Sequence, residues 1–277
     1  MLEKAYGKIN VSINVLRRRL DGYHDLDMIM VPIKLHDDLE IEIADQMSYE
    51  CNIPMEFNDS NTVVKAVSIL RREFEFKENF KIRLTKRIPM QAGLAGGSAD
   101  GAAVLRAVNQ LLGLGLSYSQ LALFGREIGA DVSFCIYQQC ARVQGTGEII
   151  LPFYLEKGYD VILVKPQQGI STKLAYTTLN LDKCDHPDID KVKDALISHK
   201  PLCEVMGNSL EESATRLLGE IERIKNKARS LGFKDVLMSG SGSTVFVITE
   251  KGTDTAKLIE EMKKEWDFVI KTEILTA

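Results

Sequence analysis

The 277 residues carry 35 Lys and Arg against 39 Asp and Glu, a formal charge of −4, with 45% apolar and 27% charged residues. That balance, with a pI near 5.7, suits a globular chain long enough for two domains; it excludes disordered, fibrous and low-complexity classes and supplies no basic field for nucleic acid. No apolar run approaches the ~18 residues of a membrane span and no basic segment feeds an apolar one at the start, so a cytoplasmic protein without a membrane partner is expected.

Residues 8 to 15 alternate strictly, with Ile9, Val11, Ile13 and Val15 on one face and Lys8, Asn10, Ser12 and Asn14 on the other. This predicts a half-buried strand with Lys8 and Asn10 on its polar face. A basic turn from Arg17 to Gly22 leads into Tyr23 and His24, two rings that could stack on a flat ligand and hydrogen-bond its edge, or simply pack. Two strand-like runs follow, 26 to 33 and 39 to 43, with a break at Asp37-Asp38.

Asn61 is placed to cap a helix through Val63, Val67 and Leu70, and residues 81 to 88 alternate as a strand ending at Pro89. The segment Pro89-Met90-Gln91-Ala92-Gly93-Leu94-Ala95-Gly96-Gly97-Ser98-Ala99-Asp100 is a glycine-rich loop between strand and helix. Its glycines allow close backbone approach, and the amides of the helix start favour phosphate; tight strand–helix packing is the alternative. It is neither a Walker A loop nor a G-x-G-x-x-G dinucleotide loop. The helix runs to Gly113, and Ser117-x-x-Gln120 forms a capping box for the next, which Gly129 ends. Asp131 then reads either as a helix N-cap or as a general base. Cys135, between Phe134 and Ile136, reads as a small buried hydrophobe. The five cysteines form no C-x-x-C pair and the four histidines no H-x(3–5)-H, so neither a disulfide framework nor a zinc site is expected.

Past Pro152 the pattern predicts strand (159 to 164), helix (about 208 to 231), strands (236 to 238 and 244 to 248), helix (254 to 266) and strand (268 to 275), the split β-α-β-β-α-β plan. An excursion at 169 to 205 holds Ser171-Thr172, a cap for a short helix carrying Tyr176. Ser239-Gly240-Ser241-Gly242-Ser243 reads as a hairpin turn or a backbone approach to a ligand.

Taken together, Lys8-Ile9-Asn10, Asp21-Gly22-Tyr23-His24, the 89 to 100 loop, Gly129-Ala130-Asp131-Val132 and Ser239-Gly240-Ser241-Gly242 resemble, in order and spacing, the GHMP family of small-molecule kinases. The likeness runs from Lys4 to beyond Val247. It implies an α+β fold of two domains: residues 1–152, similar to ribosomal protein S5 domain 2 and carrying the ATP loop and catalytic Asp, and residues 153–277, ferredoxin-like, with the active site in the cleft between. It also implies transfer of the ATP γ-phosphate to the tertiary 2-hydroxyl of a cytidyl diphosphate-linked methylerythritol, on the non-mevalonate route to isopentenyl diphosphate.

By the same resemblance Asp131 is the catalytic base and Lys8 the catalytic lysine. Pro89, Met90, Gln91, Ala92, Gly93, Leu94, Ala95, Gly96, Gly97, Ser98 and Ala99 hold the ATP phosphates, with Ser98 near Mg²⁺, while Asn61 and Lys86 meet the nucleotide. Asn10, Tyr23, His24, Thr172, Tyr176 and Gly240 fall on the substrate side, the two tyrosines as an aromatic sandwich for cytidine. ATP and Mg²⁺ are the expected ligands, and monomer or homodimer stays open. Departures from the family text are Ala99, Gln91-Ala92 and the Gln138-Gln139 pair in place of glycines. Alternatives are a related kinase with another alcohol acceptor and a nucleotide-binding regulator; the net charge disfavours an RNA-binding use of the S5-like domain.

Overall fold

A computed structural model describes residues 1–276. Strands β1 (Leu2–Arg18) and β2 (His24–Ala44) open the chain. On β1 the apolar set Ile9, Val11, Ile13 and Val15 is buried as the alternation predicts, yet Lys8, Asn10 and Ser12 are buried as well. The polar face is therefore an interior lining and not a solvated one. Burying it is tolerable because each group is partnered: the Ser12 hydroxyl donates to the Gly207 carbonyl at 2.7 Å and accepts from the Gly207 amide at 3.1 Å.

The expected break at Asp37 does not occur, and β2 runs through it. Asp37 is fully buried, and its carboxylate accepts from the Ile88 amide at 2.8 Å, from the Arg87 amide and from Lys86 Nζ. An acid in mid-strand reads as a breaker when its partners, some fifty residues away in sequence, are out of sight.

The chain continues through β3 (Ser48–Cys51), α1 (Thr62–Phe74), β4 (Asn79–Thr85), α2 (Gly96–Leu111), α3 (Tyr118–Ile128) and α4 (Val132–Tyr137). Next come β5 (Ala141–Gly145), β6 (Ile149–Pro152), β7 (Tyr159–Lys165), α5 (Thr172–Thr177) and α6 (Ile189–Ile197). After a 3-10 turn at Leu202–Glu204 follow α7 (Glu211–Leu217), α8 (Glu220–Ser230), β8 (Val236–Met238), β9 (Val245–Glu250), α9 (Ala256–Lys263) and β10 (Phe268–Glu273).

These elements sort into two compact units that interleave along the chain. The first contains residues 1–8, 35–89 and 95–138; the second contains 9–34, 90–94 and 139 onward. Strands β1 and β2 each supply residues to both.

In the first unit the C-terminal half of β2 pairs antiparallel with β4, which pairs parallel with β3. Helix α2 is buried from Ala99 to Val108, with α1, α3 and α4 packed on it. Its small residues permit that crowding: a Cβ on Gly101 would lie 3.2 Å from both the Cβ and the carbonyl oxygen of Thr62. Asn61 caps α1 by accepting from the Val63 amide, and the Ser117–Gln120 box caps α3, both as expected. Gln138, where the family pattern has glycine, does stand in the left-handed region at φ 52, and its side-chain amide donates to the Lys4 carbonyl at 3.1 Å.

In the second unit β2 pairs through Leu26–Met30 with β5, and β5 with β6. Residues from 159 onward form an antiparallel sheet in the order β10-β7-β9-β8, the ferredoxin-like arrangement read from the sequence pattern. The helix predicted over 208 to 231 is two helices. Leu218 turns to extended backbone (φ −144, ψ 92) with its side chain buried, and Gly219 restarts the helix. No helix among the described residues is long and apolar enough to cross a membrane.

Candidate active site

In the first unit, Asp131 precedes α4 in the N-cap position, but its side chain makes no capping hydrogen bond. Its Oδ2 lies 3.4 Å from Lys8 Nζ, with the lysine side chain 4% exposed and the aspartate 31%. A carboxylate released from capping, paired with a buried ammonium and still open to solvent on one side, can take a proton from an incoming hydroxyl while the cation steadies developing phosphoryl charge. Asp131 is thus not a side-chain cap of α4. Cys135, one helical turn on, is buried, and burial followed by the charge of Asp131 pushes its thiol far up, so it is no nucleophile.

The glycine-rich loop places Gln91 (φ 51), Gly93 (φ 74) and Ala95 (φ 56) in the left-handed region. Ala95 then leads α2 with no side-chain cap on the first amides of the helix. The glycines differ in what requires them. A Cβ on Gly93 would fall 2.1 Å from the Ser239 carbonyl oxygen, and one on Gly96 would fall 2.9 Å from Ile88 Cγ2. At Gly97 the nearest atom is Thr62 Oγ1 at 3.8 Å, so protein packing does not demand glycine there. Thr62 Oγ1 donates to the Gly97 carbonyl at 2.6 Å and fixes that peptide. Ala92, Leu94 and Ala99 are buried anchors of the loop, whereas Met90 and Gln91 are exposed and Pro89 and Ser98 half-buried. Ser98 Oγ lies 4.0 Å from where a Gly129 Cβ would be, at the turn that carries Asp131.

Lys86 ends beneath the start of α2, its Nζ 3.2 Å from an ideal Cβ on Gly96. It donates to Asp100 Oδ2 at 2.7 Å and to Asp37 Oδ2, all three side chains being buried. Burial alone would lower the lysine, but Asp100 and Asp37 more than offset it and the net direction is up. One ammonium serves two carboxylates, and burial, aided by Asp37, pushes Asp100 up to about 7. Asp100 Oδ1 is buried without a hydrogen-bond partner. The sequence reading took Asp37 as a strand break and Asp100 as the end of the glycine-rich segment, and missed that both share one lysine. Asn61 spends its side chain on the α1 cap and on the Glu56 carbonyl.

In the second unit the rings of His24 and Tyr176 meet at 5.1 Å with planes 31° apart. Tyr23 is 67% exposed, and the ring against Tyr176 is that of His24, not of Tyr23. Burial, then the charge of Arg18, lowers His24 and keeps the imidazole neutral. Thr172 and Ser241 share a 2.9 Å hydroxyl contact. The Asn10 amide donates to Ser239 Oγ at 3.3 Å, and that hydroxyl donates to the Gly93 carbonyl at 3.0 Å, tying β1 to the glycine-rich loop. Gly240 stands at φ 60, and its carbonyl accepts from Asn208 Nδ2 at 2.9 Å, as does the Met238 carbonyl. Ser239 and Ser241 belong to the loop read from sequence as a turn or a ligand approach, whereas Asn208 was not singled out, because it acts through backbone carbonyls of a distant segment.

Two family matches fall on the two halves of the chain: GHMP kinases N terminal domain over residues 61–139 and GHMP kinases C terminal over residues 185–267. A 4-diphosphocytidyl-2-C-methyl-D-erythritol kinase of Bacillus cereus (strain B4264) is 40% identical over 270 residues, covering 95% of this chain and 93% of its own. The chain belongs to the GHMP kinase family, among its 4-diphosphocytidyl-2-C-methyl-D-erythritol kinases. The protein of that name from Geobacillus sp. (strain WCH70) is 38% identical over 282 residues, covering 99% of this chain and 97% of its own. A crystal structure of 4-(cytidine 5'-diphospho)-2C-methyl-D-erythritol kinase superposes with TM-score 0.86 at 29% identity over the whole of both chains. A homoserine kinase from Cytophaga hutchinsonii superposes at TM-score 0.73 with 18% identity, covering 98% of this chain and 94% of its own, a likeness of fold alone. GHMP kinases use ATP as phosphoryl donor.

Proposed function

We propose that this chain transfers the γ-phosphate of ATP to the 2-hydroxyl of 4-diphosphocytidyl-2-C-methyl-D-erythritol, giving the 2-phosphate and ADP in the non-mevalonate route to isopentenyl diphosphate. The observation that carries it is the Lys8–Asp131 pair, whose carboxylate is free of any capping duty. Phosphoryl transfer asks the protein for positioning and charge, not for a covalent intermediate. Asp131 takes the proton of the 2-hydroxyl as it attacks. Lys8 balances negative charge on the transferring group, and the amides of the 91 to 98 segment hold the donor phosphates.

Among the described residues no three His, Cys, Asp or Glu side chains gather as a metal cage. Mg²⁺ keeps waters and leans on substrate phosphates, and the half-buried Ser98 hydroxyl at the start of α2 is the protein group that would hold it. When bound, the ion neutralises charge on the phosphate oxygens. On the acceptor side, neutral His24 offers one ring nitrogen as donor and one as acceptor, the combination a cytosine edge requires, with Tyr176 as the stacking surface. Asn10 and Thr172 supply further polar groups, exposed Tyr23 a second ring, and Gly240 a backbone approach. Asn61 and Lys86 act on the nucleotide by shaping the α1 cap and the floor of α2. A soluble cytoplasmic enzyme agrees with this chemistry.

The test is ADP release with Mg-ATP and the cytidyl substrate, run beside homoserine, mevalonate and galactose. Turnover with the cytidyl substrate alone is expected. Turnover with one of the others instead, or with none, contradicts the reading.

A further inference from the structure

The turn between β1 and β2 carries three consecutive arginines, and the register divides them by face. The Arg19 amide donates to the Tyr23 carbonyl at 2.8 Å, and the Gly22 amide to the Arg19 carbonyl at 3.2 Å. That closure sets Arg18 opposite His24 and Arg17 opposite Asp25 across the strand pair. The side-chain contacts agree: Arg17 Nε meets Asp25 Oδ2 at 2.6 Å, and Arg19 meets Asp25 Oδ1 at 3.2 Å and Asp21 Oδ2 at 3.0 Å. Arg17, Arg19 and Asp25 therefore share one face, where two carboxylates neutralise two guanidiniums. By strand alternation Arg18 lies on the other, the face of the His24–Tyr176 ring pair. Arg18 is exposed, and among the described residues no carboxylate pairs with it. The lowering of His24 by Arg18 is the electrostatic sign of the same neighbourhood.

We propose that Arg18 is a specificity-determining residue that binds the diphosphate of the cytidyl substrate, selecting a nucleoside diphosphate over a bare nucleoside. The proposal rests on the functional reading above, which places the cytosine ring at His24 and Tyr176. In a cytidine diphosphate the anionic groups follow the ribose, within the sweep of a long side chain mounted beside the ring site. A planar guanidinium with no competing carboxylate is the group best matched to bidentate phosphate recognition. Arg17 and Arg19, already paired on the far face, cannot substitute.

The experiment titrates cytidine and CDP into wild type, Arg18→Gln and Arg17→Gln by calorimetry, and measures KM for ATP and for the cytidyl substrate. Wild type is expected to bind CDP more tightly than cytidine. Arg18→Gln should lose about tenfold in CDP affinity and show a KM for the cytidyl substrate about tenfold higher, with cytidine affinity and KM for ATP unchanged; Arg17→Gln should match wild type. CDP affinity within twofold of wild type in Arg18→Gln overturns the proposal, and so does an equal loss for cytidine, which marks a structural role. Wild type that binds neither cytidine nor CDP sinks the functional reading itself.

Discussion

His24 shows how one residue's surroundings set its chemistry. Burial, with Arg18 second, lowers its pKa from the ordinary value of about 6.5. As pH falls, an unfolded chain takes up that proton first, so between the two values the folded state loses stability with each step toward acid. The functional consequence has the same sign. Protonation removes the acceptor nitrogen, so KM for the cytidyl substrate should stay flat from about pH 8 to 6.5 and rise several-fold toward pH 5, while KM for ATP stays level. His24→Asn should abolish the acid limb. Steady-state kinetics across that range check this; a flat wild-type KM would show that the imidazole does not meet the substrate. His24 was legible in the sequence because two rings beside a glycine turn are conspicuous. Tyr176 stood beside it on the substrate side by the family resemblance alone; the direct ring contact is set by the fold of residues 152 positions away in the chain, and Tyr23 is exposed.

At the scale of elements, the glycine-rich loop separates residues that packing requires from one that a ligand requires. Gly93→Ala forces a Cβ to 2.1 Å from a backbone carbonyl at a positive φ, so it should destabilise the protein by upwards of ~2 kcal/mol. Gly97→Ala meets nothing closer than 3.8 Å and should leave Tm within a degree or two, or raise it slightly. Its cost should appear as a roughly tenfold rise in KM for ATP, where a methyl enters phosphate space. Thermal melts and ATP kinetics on both variants test the pair; unchanged ATP kinetics in Gly97→Ala would move the phosphates elsewhere. The loop's existence and position were plain from Gly93, Gly96 and Gly97. Its floor was hidden, because Asp37, Lys86 and Asp100 are brought together from β2, the end of β4 and α2, and no local pattern marks a buried charge cluster. The same blindness turned Asp37 into an expected strand break.

For the whole molecule, the ferredoxin-like sheet was readable because its strands are short, apolar and separated by clear turn residues, whereas the long β1 and β2 serve two packing units at once and defeat a reading that assigns one face to water. A net charge of −4 says nothing about where anionic substrates are met; on the reading proposed above that task falls to the local cations Lys8 and Arg18. Everything about the reaction turns on Asp131. The deciding measurement is the initial rate of ADP formation at saturating Mg-ATP and cytidyl substrate, wild type against Asp131→Asn, with the product phosphate located by phosphorus NMR. A 2-phosphate from wild type, with kcat lower by ~10²–10⁴ and KM for ATP unchanged in the variant, is the predicted result. Near-normal kcat in Asp131→Asn would contradict its role as the base.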